Sequence, residues 1–564
     1  MFELPDLLSP RSVAGADPRL LEELLEMSFL GADPGCAIDD ALETAALPAS
    51  TWNAEFFADG LFLPELIEEH FRVTIGGQRF PVHGRYLRAV LGRPPVELET
   101  IRFRQDVLRE LETDGEIRAR AFLLFRRLFD LLTLFKTPGS AARLDQASFR
   151  LDLLRHAKGV IDAMADDFAG AASGLHRLHE AGRGIRDSRE HRLLSALLDH
   201  EERLAELSLR VRLGADGRIR RLIVSELAEN EGNPFHKPPA TRWYERLNLL
   251  WRGYDLDRRE VVNRLIVGVY LEVAPALRSL LQVLGQLEVY LGAFSFAERA
   301  RARGLDVCLA APAADGRLAL ERLFNPLLMD GHGRPTPCAI ATERPAATVV
   351  VTGPNSGGKT RLLQAVGLAQ ILGQSGLYVP AREARVPILQ GLFVSLVEPS
   401  TAHESEGRLG AELVRIRRLF EEVRPRTMVL LDELCSGTNP SEAVEIFSLV
   451  LDLLRRLDPV AFVTTHFLDF SRRLAEEPPG EELEFIQAVM GSDHLPSYQF
   501  APGVADTSLA VQTASRLGVT FDGLAELLAS RFGIRAEPRM LRGAGVVVAA
   551  GARGRPRAAG AGRR

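Results

Sequence analysis

Val349-Val350-Val351-Thr352-Gly353-Pro354-Asn355-Ser356-Gly357-Gly358-Lys359-Thr360 sets the reading of the whole chain. A β-branched run enters a glycine-rich turn, and Lys-Thr then opens a helical pattern. This order fits the phosphate-cradling loop G-x-x-x-x-G-K-[ST]. Glycines let backbone N–H groups close on phosphate oxygens with no Cβ in the way. Lys359 has the reach for β- and γ-phosphates, and the Thr360 hydroxyl is a ligand for Mg²⁺. The following helix, with Leu362, Leu363, Val366 and Leu368, aims its positive end at the anion.

The second half of such a site lies downstream. Thr427-Met428-Val429-Leu430-Leu431 reads as a buried parallel strand ending in Asp432 and Glu433. Carboxylates there are costly unless they bind something. Asp432 is placed to hold Mg²⁺ through water, and Glu433 to polarise the attacking water. A further strand, Val460-Ala461-Phe462-Val463-Thr464, ends in Thr465-His466, where an imidazole can sense a γ-phosphate.

With these residues in order, the chain resembles the ATPase domain of the MutS family, one of the ABC-type ATPases. The resemblance rests on Thr352-Gly353-Pro354-Asn355, on Gly376-Leu377-Tyr378-Val379-Pro380-Ala381, on Leu431-Asp432-Glu433-Leu434 followed by Gly437-Thr438, and on Thr465-His466. It covers residues 323 to 528 well and reaches back more faintly to Pro81. The resemblance implies ATP and Mg²⁺ as cofactors. It makes Gly353, Pro354, Asn355, Ser356, Gly357, Gly358, Lys359 and Thr360 the nucleotide contacts, Thr360 and Asp432 the metal ligands, and Glu433 and His466 the catalytic pair. Residues 437–443 correspond to a loop crossing a dimer interface, so a homodimer is implied.

One departure stands out. Family members carry Ser-Thr-Phe-x-x-Glu at the start of a helix, and its serine contacts the γ-phosphate held by the other subunit. Here the glutamate falls on Glu412, which puts Gly407 at the serine position. Ser405 or the backbone N–H of Gly407 is left as donor, beside the negative charge of Glu404 and Glu406.

Composition sets the outer bounds. The chain has 564 residues, 46% hydrophobic and 26% charged, which suits several globular domains. A net charge of −6 confines any nucleic-acid contact to local patches. Cys36, Cys308, Cys338 and Cys435 include no C-x-x-C, as expected of a reducing cytoplasm. Met1-Phe2-Glu3-Leu4 is no signal peptide. The apolar stretch from 265 to 294 contains Glu272, Arg278 and Glu288, so it reads as a packed helix and no membrane contact is expected.

The expected fold class is multidomain α plus α/β: a helical core/lever domain followed by a P-loop, ABC-type ATPase domain. Residues 1–80 form an accessory region, with one helix near Leu20 to Leu25. Residues 81–320 form the helical core, lever and clamp, opening with Ile101-Arg102-Phe103-Arg104-Gln105, which resembles the start of the family's core domain. Ile101, Leu108 and Leu111 share one helix face. Helical pattern continues from 141 to 221, and Arg183, Arg186, Arg189, Arg192, Arg218, Arg220 and Arg221 are candidate phosphate contacts or a salt-bridged solvent face. Residues 229–239 read as a loop, and Asn325-Pro326-Leu327-Leu328 as a segment near the adenine. The ATPase spans 321–534.

Mismatch-sensing relatives begin with a Phe-x-Glu wedge. Phe2-Glu3 lacks that spacing and Phe296-Ala297-Glu298 lies in a helical stretch, so weak mismatch discrimination is expected. The basic tail 535–564 reads as disordered, and no nuclease domain is expected after the ATPase. Its Arg553-Gly554-Arg555-Pro556 resembles an AT-hook core; a general basic anchor and a neutral tail are the alternatives. The resulting function is that of a DNA-binding, nucleotide-gated dimeric ATPase acting in DNA repair or recombination. The alternatives are an ATP-driven clamp on branched DNA or ribosomes, or an ATPase that binds only protein.

The signature segment yields a test. Gly407→Ser restores the hydroxyl, so basal ATPase activity and ATP-dependent dimerisation are both expected to rise, read by phosphate release and light scattering. A fall in both would make the Gly407 backbone the working donor.

Overall fold

The computed structural model describes residues 5–11, 16–137, 146–204, 207–213, 219–227, 258–331, 334–396, 407–434, 439–476, 483–491, 495–506 and 518–533. For 200–265, and for positions including Asn355, 407–409 and Ala411, side chains are not described. Expectations for Phe2-Glu3, Arg218, the loop 229–239, Ser405, Gly437-Thr438 and the tail lie outside the described residues.

The first half is helical, as its apolar spacing dictates. In order come α1 (Pro18–Phe29), α2 (Ala37–Glu43), α3 (Leu63–His70), a small hairpin of β1 (Val73–Ile75) and β2 (Gln78–Phe80), and α4 (Gly84–Leu91). Then follow α5 (Leu98–Thr113), α6 (Gly115–Lys136), α7 (Gln146–Asp167), α8 (His176–Arg186) and α9 (Arg189–Leu204). Ile101, Leu108 and Leu111 are each buried on α5, as their spacing predicts. Asp114 separates α5 from α6: its carboxylate accepts from the N–H groups of Glu116 and Ile117 at 2.9 and 3.0 Å.

After α9 the backbone departs from the helical expectation. It forms an antiparallel hairpin, β3 (Leu207–Leu213) with β4 (Ile219–Leu227). The cause is legible in Leu207-Ser208-Leu209-Arg210-Val211-Arg212-Leu213, which alternates with period two. Arg220 and Arg221 therefore lie on a strand. On the helices, Arg183 and Arg189 are exposed, while Arg186 is paired with Asp166 at 2.5 Å.

Helix α10 (Arg258–Ala302) runs 45 residues back through the helical layers. Residues 266–302 are long and apolar enough to cross a membrane by length and composition, but 67% of the most apolar window is buried inside the protein. Glu288 on α10 is fully buried. It accepts from the His83 backbone N–H at 2.8 Å and faces His83 Nδ1 at 2.9 Å. The other ring nitrogen lies 3.4 Å from Asp39, which also holds Lys136 at 2.5 Å. One ionic chain thus ties α2, the turn before α4, α6 and α10.

The second half is α/β. Short strands come first: β5 (Cys308–Leu309), β6 (Ala311–Pro312), β7 (Ala319–Leu323) and β8 (Cys338–Ala341). Next are β9 (Thr348–Thr352), α11 (Lys359–Gln374), β10 (Tyr378–Val379), β11 (Glu383–Val386), β12 (Gly391–Ser395), α12 (Gly407–Glu422) and β13 (Thr427–Leu431). The chain continues with α13 (Pro440–Arg455), β14 (Val460–Thr465), α14 (Leu468–Glu476), β15 (Leu483–Met490) and β16 (Pro496–Pro502). The main sheet has the order β12-β13-β14-β9-β15-β16; all neighbours are parallel except β15 and β16. Residues 1–508 form one compact unit. A separate unit holds α15 (Phe521–Phe532), capped by Thr520 and ended by Gly533 at φ +67°.

The His83 pair makes stability pH-dependent. Burial alone would lower the His83 pKa; the charge of Glu288, with the contacts to Asp39, outweighs it and holds the imidazolium up to about 10. Its folded pKa exceeds the ordinary 6.5, so its stabilisation is full below pH 6.5 and is lost as pH rises through about 10. Glu288→Gln is expected to cost about 3–5 kcal/mol at pH 7, because it leaves a buried charge without its partner. Denaturant melts from pH 6 to 10 check this: the wild type loses stability along the series, and the variant does so far less.

Candidate nucleotide site

Register assembles the site. Thr352 at the end of β9 pairs with Thr465 of β14, and Leu431 of β13 pairs with Val463. The residues that follow, Gly353, His466 and Asp432, therefore leave the sheet along one edge. Open α/β sheets bind ligands beyond the carboxyl ends of such strands. Thr352 is locked there: its hydroxyl donates to Ile486 O at 3.2 Å and accepts from the Ala505 N–H at 3.0 Å.

The loop after β9 needs its glycines. Gly353 has φ +135° and Gly358 φ +85°. A Cβ on Gly353 would stand 2.9 Å from the Ala488 Cβ, and one on Gly358 would stand 3.1 Å from the Tyr498 ring. Asn355 to Gly357 make one 3₁₀ turn, and α11 begins at Lys359. Lys359 is 2% exposed. Its ammonium donates to the carbonyls of Gly353 and Pro354 at 3.0 and 3.2 Å and lies 3.6 Å from the Glu433 carboxylate. Burial pushes its pKa down, and the charges of Glu433 and Asp432 oppose that shift.

The acids are held by two hydroxyls. Thr360 Oγ1 donates to Asp432 Oδ2 at 2.6 Å. Thr464 Oγ1 donates to Asp432 Oδ1 at 2.5 Å and accepts from the Glu433 N–H at 2.9 Å. Glu433 has φ +47°, a left-handed conformation that costs a non-glycine residue of order 1 kcal/mol. That turn brings its side chain toward Lys359. His466 is half-buried, its ring 4.3 Å from that of Phe467. Thr464 was not singled out in the sequence. Its signal is positional, because it sits opposite Asp432 once β13 and β14 are aligned.

Beside the N-terminus of α11 opens a cleft of about 370 Å³. Leu323, Leu328, Cys338, Leu362 and Phe500 give it apolar walls; Asn325, Arg361 and Tyr498 add polar groups. Asn325 is fixed from both ends: its amide donates to Arg361 O at 3.1 Å and Gln364 Oε1 at 3.2 Å, and its oxygen caps the turn at Leu327. Tyr498, φ +56° and 46% exposed, arches over the loop. The sequence pointed to the Asn325 segment; it did not point to Tyr498 or Arg361.

Residues 349–522 match the sequence profile of MutS domain V. The chain is MutS-related. An Endonuclease MutS2 of Thermus thermophilus is 29% identical over 357 residues, 61% of this chain and 46% of that protein. The Ligilactobacillus salivarius Endonuclease MutS2 is 28% identical over 280 residues, covering 48% and 34%. That of Streptococcus agalactiae is 31% identical over 210 residues, covering 36% and 26%. The MutS-related chain thus spans less than half the length of these curated relatives. In it, Gly407 opens α12 and Glu412 is buried five residues on, which fits the start-of-helix placement expected for the signature.

The shared hydroxyl makes a clean test. Thr464→Val removes the donor to Asp432 and the acceptor for Glu433 N–H while keeping the shape. Leaving buried polar groups unpaired is expected to cost about 1–3 kcal/mol, measured by denaturant unfolding. Thr464→Ser is expected to stay near wild type.

Proposed function

We propose that this chain binds ATP with Mg²⁺ at the end of the β9–β13–β14 edge and hydrolyses it. The observation that carries the reading is the convergence of Lys359, Thr360, Asp432 and Glu433 within hydrogen-bond and ion-pair reach of one another. Thr360 Oγ1 and Asp432 are hard oxygen donors side by side, a set that suits Mg²⁺. When bound, the ion neutralises charge on the β- and γ-phosphates.

Each residue then has a role. The loop N–H groups of 353–358 and the α11 N-terminus hold phosphate oxygens. Lys359 exchanges its contacts with the Gly353 and Pro354 carbonyls for the β- and γ-phosphates. Asn355 contacts the nucleotide, and the cleft bounded by Asn325, Leu328 and Tyr498 takes the nucleoside. Glu433 orients and deprotonates the attacking water, and His466 faces the γ-phosphate. A second copy completes the site through the segment opening α12, so the working form is a homodimer of ABC type.

The helical half supplies the ligand-binding arms. DNA is the favoured ligand, in repair or recombination, given the relatives and the exposed Arg183 and Arg189. The alternatives are branched DNA, ribosomes or a protein. ATPase rates measured with mismatched duplex, homoduplex, branched DNA, RNA and ribosomes separate them; the ligand that changes the rate, with steep salt dependence for a nucleic acid, names the class. Equal rates with matched and mismatched duplex are expected.

Two substitutions test the chemistry. Lys359→Ala is expected to abolish tight ATP binding in a fluorescent-nucleotide titration. Glu433→Gln is expected to keep binding but slow turnover by about a hundredfold or more, and to accumulate as an ATP-bound dimer. Wild-type turnover in Glu433→Gln would refute its role as base.

A further inference from the structure

The segment 51–61 lies outside the stretch matched to MutS domain V and far from it in sequence. Its contacts nonetheless fall on the ATPase sheet. The edge strand β12 pairs with β13 on one side, and on its other side runs this strap. The Thr51 hydroxyl donates to Gln390 at 3.2 Å, and the Trp52 indole N–H donates to Leu389 O at 3.1 Å. Asn53 caps a 3₁₀ turn over Ala54–Phe56.

At that turn two adjacent rings part. Phe57, fully buried, joins the core that contains α11. Phe56 packs on the other core, that of α12 and α13, with its ring 5.8 Å from Phe393. Onto Phe56 stacks the guanidinium of Arg418, on α12, 4.7 Å from the ring centroid. The same guanidinium lies 3.5 Å from the Glu55 carboxylate. Beyond the turn, Gly60 fits where a Cβ would meet Val394 of β12 at 3.0 Å, and Leu61 fits against Gly367 of α11. The strap therefore wraps the sheet edge, seated on the α11 layer, with Glu55 and Phe56 gripping α12 on the far side.

We propose that Glu55 and Phe56 are positioning residues for the composite ATPase site: through Arg418 they fix the angle of α12, and so the presentation of the signature segment to the partner's nucleotide. This rests on the ATPase reading given above. Neither residue lies in the loop or acid cluster, so nucleotide binding by one protomer is independent of them, while turnover, which needs both protomers, is not.

The test combines Glu55→Gln with Phe56→Ala in the full chain and uses Phe56→Tyr, which keeps the ring, as the rescue. Hydrogen exchange without nucleotide is expected to quicken about three- to tenfold in α12 and to stay unchanged in α11. The kcat for ATP is expected to fall about tenfold with nucleotide Kd within twofold of wild type, and Phe56→Tyr to restore both kcat and exchange. Unchanged α12 exchange overturns the proposal. So does joint loosening of α11 and α12, which would make the strap a mere cover, and so does an unchanged kcat despite a loosened α12. A wild-type chain without ATPase activity would instead count against the ATPase reading, and the exchange data would still decide whether the strap holds α12.

Discussion

From Leu362 onward helix α11 has no solvent face, and much of the architecture follows from that. From Leu362 to Gln374 every residue is buried. A helix apolar on all sides must be surrounded. The sheet covers one flank. The other partners come from far away in sequence: Leu61 against Gly367, Pro95 O accepting from Gln374, and Arg104 donating to Ser375 O. Arg104 places a cation at the negative end of the helix and also donates to Leu8 O, so one buried side chain joins the amino-terminal segment, the helical half and the carboxyl end of α11. Burial of Gln370 and Gln374 is tolerable because they donate to the carbonyls of Pro387 and Leu389. The Lys359 end of α11 is thus set by packing at its opposite end.

The geometry at that end depends on strand register more than on any single side chain. A slip of one residue between β13 and β14 would turn Thr464 away from Asp432. With the register as it stands, one hydroxyl both donates to the first acid and accepts from the backbone of the second. The left-handed turn at Glu433 is stabilised by that hydrogen bond, and it directs the second carboxylate toward Lys359.

Much of this was legible in the residues. The glycine-rich loop, the strand ending at Asp432 and Glu433, and the strand before His466 have patterns that admit few residue types, and each forms the element its pattern predicts. The face of α5 was readable because its buried residues keep helical spacing. What escaped notice depends on pairing in space. Thr464 acquires meaning only opposite Asp432, and Tyr498 only beside Gly358. The hairpin β3–β4 was hidden by arginines that also suit a helix, although its alternation was present. Residues 51–61 have no periodicity of their own, because neighbouring side chains serve two different cores.

Helix α10 is 45 residues long, about 68 Å at the usual rise. Its carboxyl end is held close to the cleft beside α11, where Arg299 and Arg303 grip Asp330 at 2.8 and 2.7 Å, just past the turn that follows Asn325. Its other end follows the β3–β4 hairpin in the chain. Pro275 interrupts its hydrogen-bond ladder partway along. In mechanical terms this is a long rod, clamped by Asp330 at its carboxyl end and gripped by the other helices along its buried shaft. A tilt of about 5° at the clamp displaces the far tip by roughly 6 Å, the height of a helical turn. Small rotations of the helical layers about the Asp330 clamp are therefore magnified toward the far tip.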